Sequence, residues 1–201
     1  MAQFRLNKAA LSKAKATLGT YRRFLPALEM KRAQILMAER EARSSLNQVT
    51  GEIEALNRRV ADTLAMISGH PFKAEDLVRI KQVSIGEERV AGLILPTVEA
   101  IEIERQSYSP VMRPHWVDPL CATLAESLEL AIKHDVQQQR CTQLSAALEK
   151  ATQRVNLFEK ILIPRTEDNI KVIATFIGEM EMAGLVRAKI SQRKRREAIA
   201  L

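Results

Sequence analysis

Aromatic side chains are scarce in this chain: phenylalanine, tryptophan and tyrosine make up 4% of its 201 residues, and Trp116 is the one tryptophan. Large compact cores draw heavily on aromatic volume, so a globular enzyme with a thick core is not expected. Glycine is sparse too, and its seven copies never gather ahead of a helix as a phosphate-cradling loop requires. Cysteine is limited to Cys121 and Cys141. On one continuous helix they lie about 30 Å apart at about 1.5 Å of rise per residue. That is far beyond disulfide reach and implies reduced thiols in a cytosolic setting. No run of apolar residues approaches the length of about 18 that spans a bilayer. The opening MAQFRLNKAALSKAKA lacks the continuous apolar stretch of a secretory signal. It is amphipathic, basic and poor in acid, which leaves a transit peptide open, although it stays in register with the helix that follows.

Candidates for chemistry are equally thin. His70, His115 and His134 have no second ligand at metal spacing. Glu87-Glu88 and Glu179/Glu181 are carboxylate pairs with nothing to confine them, so a solvated surface is the expected setting. No catalytic residue, cofactor-binding residue or metal ligand is assigned, and no cofactor is expected.

What the chain has in quantity is Ala, Leu, Glu, Arg, Lys and Gln, all strong helix formers, with 27% charged residues. Counting in sevens from Phe4, the a positions are Phe4, Leu11, Leu18, Leu25, Arg32, Glu39, Leu46, Ile53, Val60 and Ile67. The d positions are Asn7, Ala14, Tyr21, Leu28, Ile35, Ala42, Val49, Leu56 and Thr63. The register holds for about nine heptads, well beyond the three or four that mark a coiled-coil seam. Pro26 falls beside the seam and predicts a local bend.

A second seam starts at Cys141, with a positions Cys141, Leu148, Val155, Leu162, Asn169, Phe176, Ala183 and Ile190. Its d positions are Leu144, Ala151, Phe158, Arg165, Val172, Glu179 and Val186. Upstream, Leu120, Leu124, Leu128, Ala131 and Ile132 repeat in a shifted phase, which predicts a stutter with looser packing near residues 132–140. Pro164 interrupts this helix at a c position, away from the seam. The apolar pattern resumes beyond it, so the helix is expected to run through with a bend. Two seams of similar length favour an antiparallel intramolecular coiled coil, each stripe burying the other; pairing with a second copy is the alternative.

Residues 69–119 differ. Gly69-His70-Pro71 reads as a helix stop. The runs 77–85 and 85–104 read as strands of a β-hairpin, with a turn at Gly86-Glu87-Glu88 and a bulge or edge at Pro96. A proline-rich loop, 109–119, follows, and Asp118-Pro119 suits the Ncap and N1 positions of the second helix. The fold class is therefore mostly α: a long antiparallel two-helix coiled coil with a short mid-chain hairpin and loop. Its parts are an N-terminal helix at 1–68, the hairpin region at 69–119 and a C-terminal helix at 120–201, expected to form one elongated unit.

The net charge is +7, and RAKISQRKRRE (187–197) concentrates it. That balance admits nucleic acid, an anionic membrane surface or an acidic protein. No aromatic interleaves the cluster for base stacking.

The segment RVNLFEKILIPRTEDNIKVI (154–173) resembles the C-terminal signature of the D subunits of V-type and archaeal-type rotary ATPases. There R-V-N-A-L-E precedes I-P-R and an N/T-I-K-Y-I-like run. Arg154, Val155, Asn156, Glu159, Ile163, Pro164, Arg165, Ile170, Lys171 and Ile173 match as they stand. ERVAGLILP (88–96) resembles the family's N-V-A-G-V-x-L-P segment. LNKAALSKAKATLG and LEMKRAQIL resemble its lysine- and leucine-rich opening and its K-x-K-R-D-x-L motif. Thr166 stands where a leucine is usual, Ala33 where an acid is usual, and the tail is less lysine-rich.

The resemblance implies a non-catalytic central rotor shaft that couples ATP hydrolysis or synthesis to ion translocation. It implies a cytoplasmic place on the periphery of a membrane-bound complex, without insertion. Implied partners are the hexamer of catalytic A and nucleotide-binding B subunits, the small F subunit, and a membrane-side adaptor, the C or d subunit. No nucleic-acid partner is implied. Arg187, Lys189, Arg193, Lys194, Arg195 and Arg196 are then candidates for contact with acidic groups of the hexamer. Residues 46–67 and 141–158 are candidates for binding the F subunit. Two other readings compete: a basic coiled-coil nucleic-acid-binding protein, and a cytosolic adaptor or export chaperone.

Overall fold

The computed structural model describes residues 6–63, 77–105 and 116–199. Helix α1 spans Lys8–Thr63, strands β1 and β2 span Val78–Val90 and Leu93–Arg105, and helix α2 spans Val117–Leu157. A π-helical turn, Phe158–Leu162, then leads directly into helix α3, Ile163–Ile199. The expected stop at 69–71 and most of the proline-rich loop lie outside the described residues. Where described, the chain is mostly helical with one antiparallel two-stranded hairpin in the middle, as the sequence leads one to expect.

The seam of α1 is where heptad counting puts it. Every a and d position from Leu11 to Val60 is buried or half-buried, including the polar Arg32 and Glu39. Ile35 and Leu56 are almost fully enclosed, each contributing about 1.5–3 kcal/mol by burial. Glu39 is enclosed as well, at 7% exposure, and Arg43 Nη2 one turn on donates to its Oε1 at 2.7 Å. Asn7 caps the helix, its Oδ1 accepting from the Ala10 N–H at 2.7 Å, which satisfies one of the orphan donors of the first turn. The helix also runs through Pro26, whose ring is exposed.

The chain divides into two compact units. The first joins the residues up to Met30 to those from Ala151 onward. In it, Lys8 Nζ meets Glu181 Oε1 at 2.7 Å and Arg22 Nη2 meets Glu167 Oε1 at 2.6 Å. Partners rise on one side as they fall on the other, so the two helices here are antiparallel. Val155 and Ile173 are the most enclosed side chains of this unit.

The second unit, Lys31–Lys150, holds the hairpin. Arg59 Nη2 on α1 pairs with Glu126 Oε1 on α2 at 2.7 Å. Counted in the phase of Cys141, the positions Leu120, Thr123, Ser127, Leu130, His134, Gln137, Cys141 and Leu144 are all buried or half-buried. The stutter predicted near 132–140 is therefore not needed. Leu124 and Leu128 belong instead to a second buried face of α2, which packs on the hairpin. There Leu77 and Val78 form a core with Val117, Leu120 and Cys121, flanked by Ile103, Trp116, Leu124, Ala125 and Leu128. Two apolar stripes on one helix imitate a phase shift when only one partner is assumed.

The hairpin turn is Ala91-Gly92, at φ of 50° and 81°, and not Gly86-Glu87-Glu88. Two consecutive positive φ values make the tight two-residue connection that matches strand twist. Gly86 instead lies inside β1 opposite Thr97, where a Cβ would run into the Glu99 side chain. The register shifts fall between Ile80 and Gln82 and between Ser84 and Ile85, leaving Lys81 and Glu99 as the extra residues. Pro96 carries no bulge. It pairs with Glu87 in a sheet whose two strands are both edges, so its missing N–H needs no partner.

Helix α2 starts earlier than expected. The Leu120 N–H donates to the Trp116 carbonyl at 3.1 Å, so Trp116, not Asp118, sits at the cap. Asp118 and Pro119 lie within the first turn, where an acid suits the helix dipole and a proline loses no hydrogen bond.

Candidate partner interface

The signature segment 154–173 is built around a change of helical register. At its centre the Ile163 N–H donates to the Phe158 carbonyl, a five-residue step that widens the helix by one residue. Pro164 follows immediately. In a regular α-helix its ring would collide with the carbonyl of Lys160, and the missing N–H would leave that carbonyl unpaired. The wide turn makes room for the ring, so the helix continues without a break.

The extra residue rotates everything beyond it. The a positions Leu162, Asn169, Phe176 and Ala183 stay half-buried, but Arg165, Val172, Glu179 and Val186, expected at d, are exposed. Their places are taken one residue later by half-buried Thr166 and buried Ile173, with Ile163, Ile170 and Ile177 half-buried beside them. Heptad counting misses this shift. The available signal is Pro164 itself, four residues beyond the carbonyl it would strike.

Among the signature residues, Val155 and Ile173 are each 1% exposed, Asn156, Ile163 and Ile170 are half-buried, and Arg154, Glu159, Pro164, Arg165 and Lys171 are exposed. Lys171 Nζ holds Asp168 Oδ1 at 3.1 Å. The segment thus serves packing on one side and presents charge on the other.

From Gly184 to Arg196 every residue of α3 is exposed. Arg187, Lys189, Arg193, Lys194, Arg195 and Arg196 all belong to this stretch. The helix brings Lys189, Arg193 and Arg196 onto one face together with Val186 and Ile190. Arg187, Lys194 and Arg195 fall on other sides, because residues three or four apart share a face of a helix. Leu185, Val186 and Ile190 are 65%, 53% and 51% exposed. Basic and apolar groups interleaved on one exposed face fit a protein surface better than a polyphosphate backbone, which needs charge alone.

The other titratable candidates find structural settings. Glu88 is not simply solvated: Arg140 Nη2 on α2 donates to its Oε2 at 2.6 Å, and Arg140 Nη1 donates to the Pro96 carbonyl at 3.1 Å. Glu181 pairs with Lys8. His134 is half-buried, 3.9 Å from Asp135 Oδ1; His70 and His115 lie outside the described residues. Cys121 and Cys141 are both free thiols. Burial raises the pKa of Cys141 above the ordinary thiol value, helped by the Glu39 carboxylate. Among the described residues no helix is long and apolar enough to cross a membrane.

Comparison with known proteins agrees with the signature. The family model for the ATP synthase D subunit matches residues 10–193. The chain belongs to that family. It is similar to the D subunit of the V-type ATP synthase of Borreliella burgdorferi, 28% identical over 192 residues that cover 96% of this chain and 95% of the relative. The corresponding protein of Chlamydia muridarum is 29% identical over 197 residues, with 96% of both chains covered. That of Chlamydia felis is 28% identical over 197 residues, with 96% of this chain and 93% of the relative covered.

Proposed function

We propose that this chain is the non-catalytic central rotor shaft of a V-type or archaeal-type rotary ATPase. It would couple ATP hydrolysis or synthesis in a ring of A and B subunits to ion translocation. The observation that carries this reading is the family match across residues 10–193. Antiparallel helix pairing, which resists twisting better than a single helix, is compatible with torque transmission. The shaft makes no bond itself; it changes the relative stability of states of its partners by offering each a different contact surface.

In this reading the exposed face of α3 around Lys189, Arg193 and Arg196 bears on acidic groups of the ring, with Arg187, Lys194 and Arg195 engaged as rotation presents other sides. Residues 46–67 and 141–158 hold the small F subunit, and the hairpin side faces the membrane-side adaptor. The setting is the cytoplasmic periphery of a membrane-bound complex.

The test is reconstitution of the full chain with A, B and F subunits. Wild-type chain should co-purify with the ring and support coupled ATP turnover. Neutralising the six α3 cations to glutamine should weaken assembly or coupling while leaving the helical signal of the isolated chain intact. Failure of the ring to assemble on the wild-type chain, together with salt-sensitive capture of duplex DNA at physiological salt, would transfer the assignment to nucleic-acid binding.

A further inference from the structure

Among the described residues Glu39 is the only charged one that is buried, and it lies in the seam of α1. Ile35 and Ala42, one turn to either side of it, are buried and apolar. On α2 the half-buried Gln137 and Cys141 occupy seam positions, with half-buried Arg140 beside them. Burial raises the Cys141 pKa; the Glu39 carboxylate adds to the rise, and Arg43 and Arg140 oppose it. The three charges therefore lie within electrostatic reach of one thiol. At one end of this group Arg43 Nη2 holds Glu39 Oε1 at 2.7 Å. At the other, Arg140 reaches out of the seam to Glu88 Oε2 and the Pro96 carbonyl on the hairpin. One polar layer thus crosses α1, α2 and the outer hairpin, all within the second unit.

The layer is not closed on itself. Gln137 Oε1 and Arg140 Nε are both buried and find no hydrogen-bond partner among the described residues. A polar network short of bonds holds less well than the apolar layers that flank it, and it is where packing gives way first. Its remaining hold depends on where the Arg140 guanidinium is kept. Seated on Glu88 and Pro96, the cation stays beside the seam, and its field offsets the burial of the Glu39 carboxylate. Released from them, it is driven towards water, because a buried cation without acceptors is strongly unfavourable. Glu39 then keeps only the exposed Arg43, and the pairing at this level loosens. We propose that the layer is a joint coupling the outer hairpin to the seam: a contact that lifts the hairpin at Glu88 opens the α1–α2 pairing around Glu39. The coupling is reciprocal, so a closed seam also steadies the hairpin. Leucine at the same heptad positions would hold the helices together without reference to the hairpin.

Glu88→Lys in the full chain tests it, because the change removes an acceptor and repels the guanidinium. Amide exchange at residues 36–43 of α1 should speed up by about fivefold, the ratio set by an exposed ion pair at its strongest. Alkylation of Cys141 by iodoacetamide should quicken as well. Cys121, in the core at the hairpin base, should keep its rate and so report that the fold is intact. Glu39→Leu/Gln137→Leu makes the layer apolar, and in that background Glu88→Lys should leave exchange at residues 36–43 unchanged. Unchanged exchange there in the otherwise wild-type chain overturns the coupling, since the hairpin then moves alone. Equal acceleration in both backgrounds overturns the layer as its route. Cys121 quickening as much as Cys141 overturns the joint too, because the whole unit then opens at once.

Discussion

Tyr21 of α1 meets Phe158, the first residue of the π turn, edge-on: the ring centroids lie 5.4 Å apart and the planes cross at 80°. Edge-to-face packing sets the positive rim of one ring against the negative face of the other, contributing about 0.5–1.5 kcal/mol beyond area burial. This aromatic pair sits where the helical register changes, so it ties the wide turn to α1. A double-mutant cycle of Tyr21→Leu and Phe158→Leu, read by urea unfolding, should give a coupling energy of about 0.5–1.5 kcal/mol. Strict additivity would mean that the rings merely fill space.

The π turn and Pro164 should prove interdependent. Deleting Lys160 removes the extra residue and lets the turn close to a regular α-helix, with Ile163, Thr166, Ile170, Ile173 and Ile177 as the new seam. All five already face inward, so packing alone tolerates the deletion. The proline ring does not, because the clash and lost hydrogen bond return at a cost of about 3 kcal/mol. The deletion should thus destabilise the wild-type chain by about that amount, and Pro164→Ala should rescue most of the loss. Equal losses in both backgrounds, measured by urea midpoint, would show that the turn exists for some other reason.

Much of this architecture is legible in the sequence because the inward-facing residues of α1 keep a single heptad phase. Its heptads from Leu11 to Val60 translate directly into burial. Legibility fails where a helix serves two neighbours or changes pitch. Leu124 and Leu128 look like a phase slip and are the hairpin-facing side of α2. Arg165 and Glu179 look like seam residues and are exposed, because periodicity counts residues and a π turn hides one of them. The hairpin turn is misread for a different reason. Gly86 with two following charges has turn composition, but Ala91 is an L-residue at positive φ, a choice that composition does not predict. The basic residues of α3 stand out as a charge run, but which of them share a face follows only from the helix.

That turn gives its own prediction. Gly92 has φ of 81°, and the nearest atom to an added Cβ is Lys31 Nζ at 3.8 Å, so space is available and only the backbone objects. Gly92→Ala should lower stability by about 1–2 kcal/mol, the left-handed penalty of a residue with a Cβ. Ala91→Gly, at φ of 50°, should be neutral or stabilising, since it relieves the same strain. Thermal unfolding of the two variants, shifting in opposite directions or in the first alone, checks this. A larger loss for Ala91→Gly than for Gly92→Ala would contradict it.

Cys141 should behave as a protonated, slow thiol. Burial and the Glu39 carboxylate raise its pKa; above the ordinary thiol pKa the unfolded chain therefore ionises before the folded one does. The folded state then holds more protons, and stability must fall as pH rises from that ordinary value through the raised one. Cys141→Ser should flatten this alkaline loss, with stability measured by urea midpoint across pH 7 to about 10. Alkylation by iodoacetamide at pH 8 should be slower for folded Cys141 than for the same residue in urea, because the thiolate is the nucleophile.

Arg140 should hold the outer half of the hairpin to α2. From Val78 to Glu88 an extended strand advances about 33 Å, and from Leu120 to Arg140 the helix advances about 30 Å. The two elements therefore run side by side, fixed at one end by the Leu77, Val78, Val117, Leu120 and Cys121 core. Farther out, the guanidinium makes its bonds to Glu88 and to the Pro96 carbonyl. The Arg140 side chain is 15% exposed but that of Glu88 is 52% exposed, so solvent screens the ion pair to about 0–1 kcal/mol, while the charge-assisted bond to the Pro96 carbonyl contributes about 1.5–3 kcal/mol. Arg140→Met keeps the apolar stem and removes both bonds. Amide exchange should then speed up at residues 86–98 while residues 78–80 stay protected by the base core. Uniform acceleration along both strands would mean that the hairpin opens as one piece and that Arg140 is not its outer anchor.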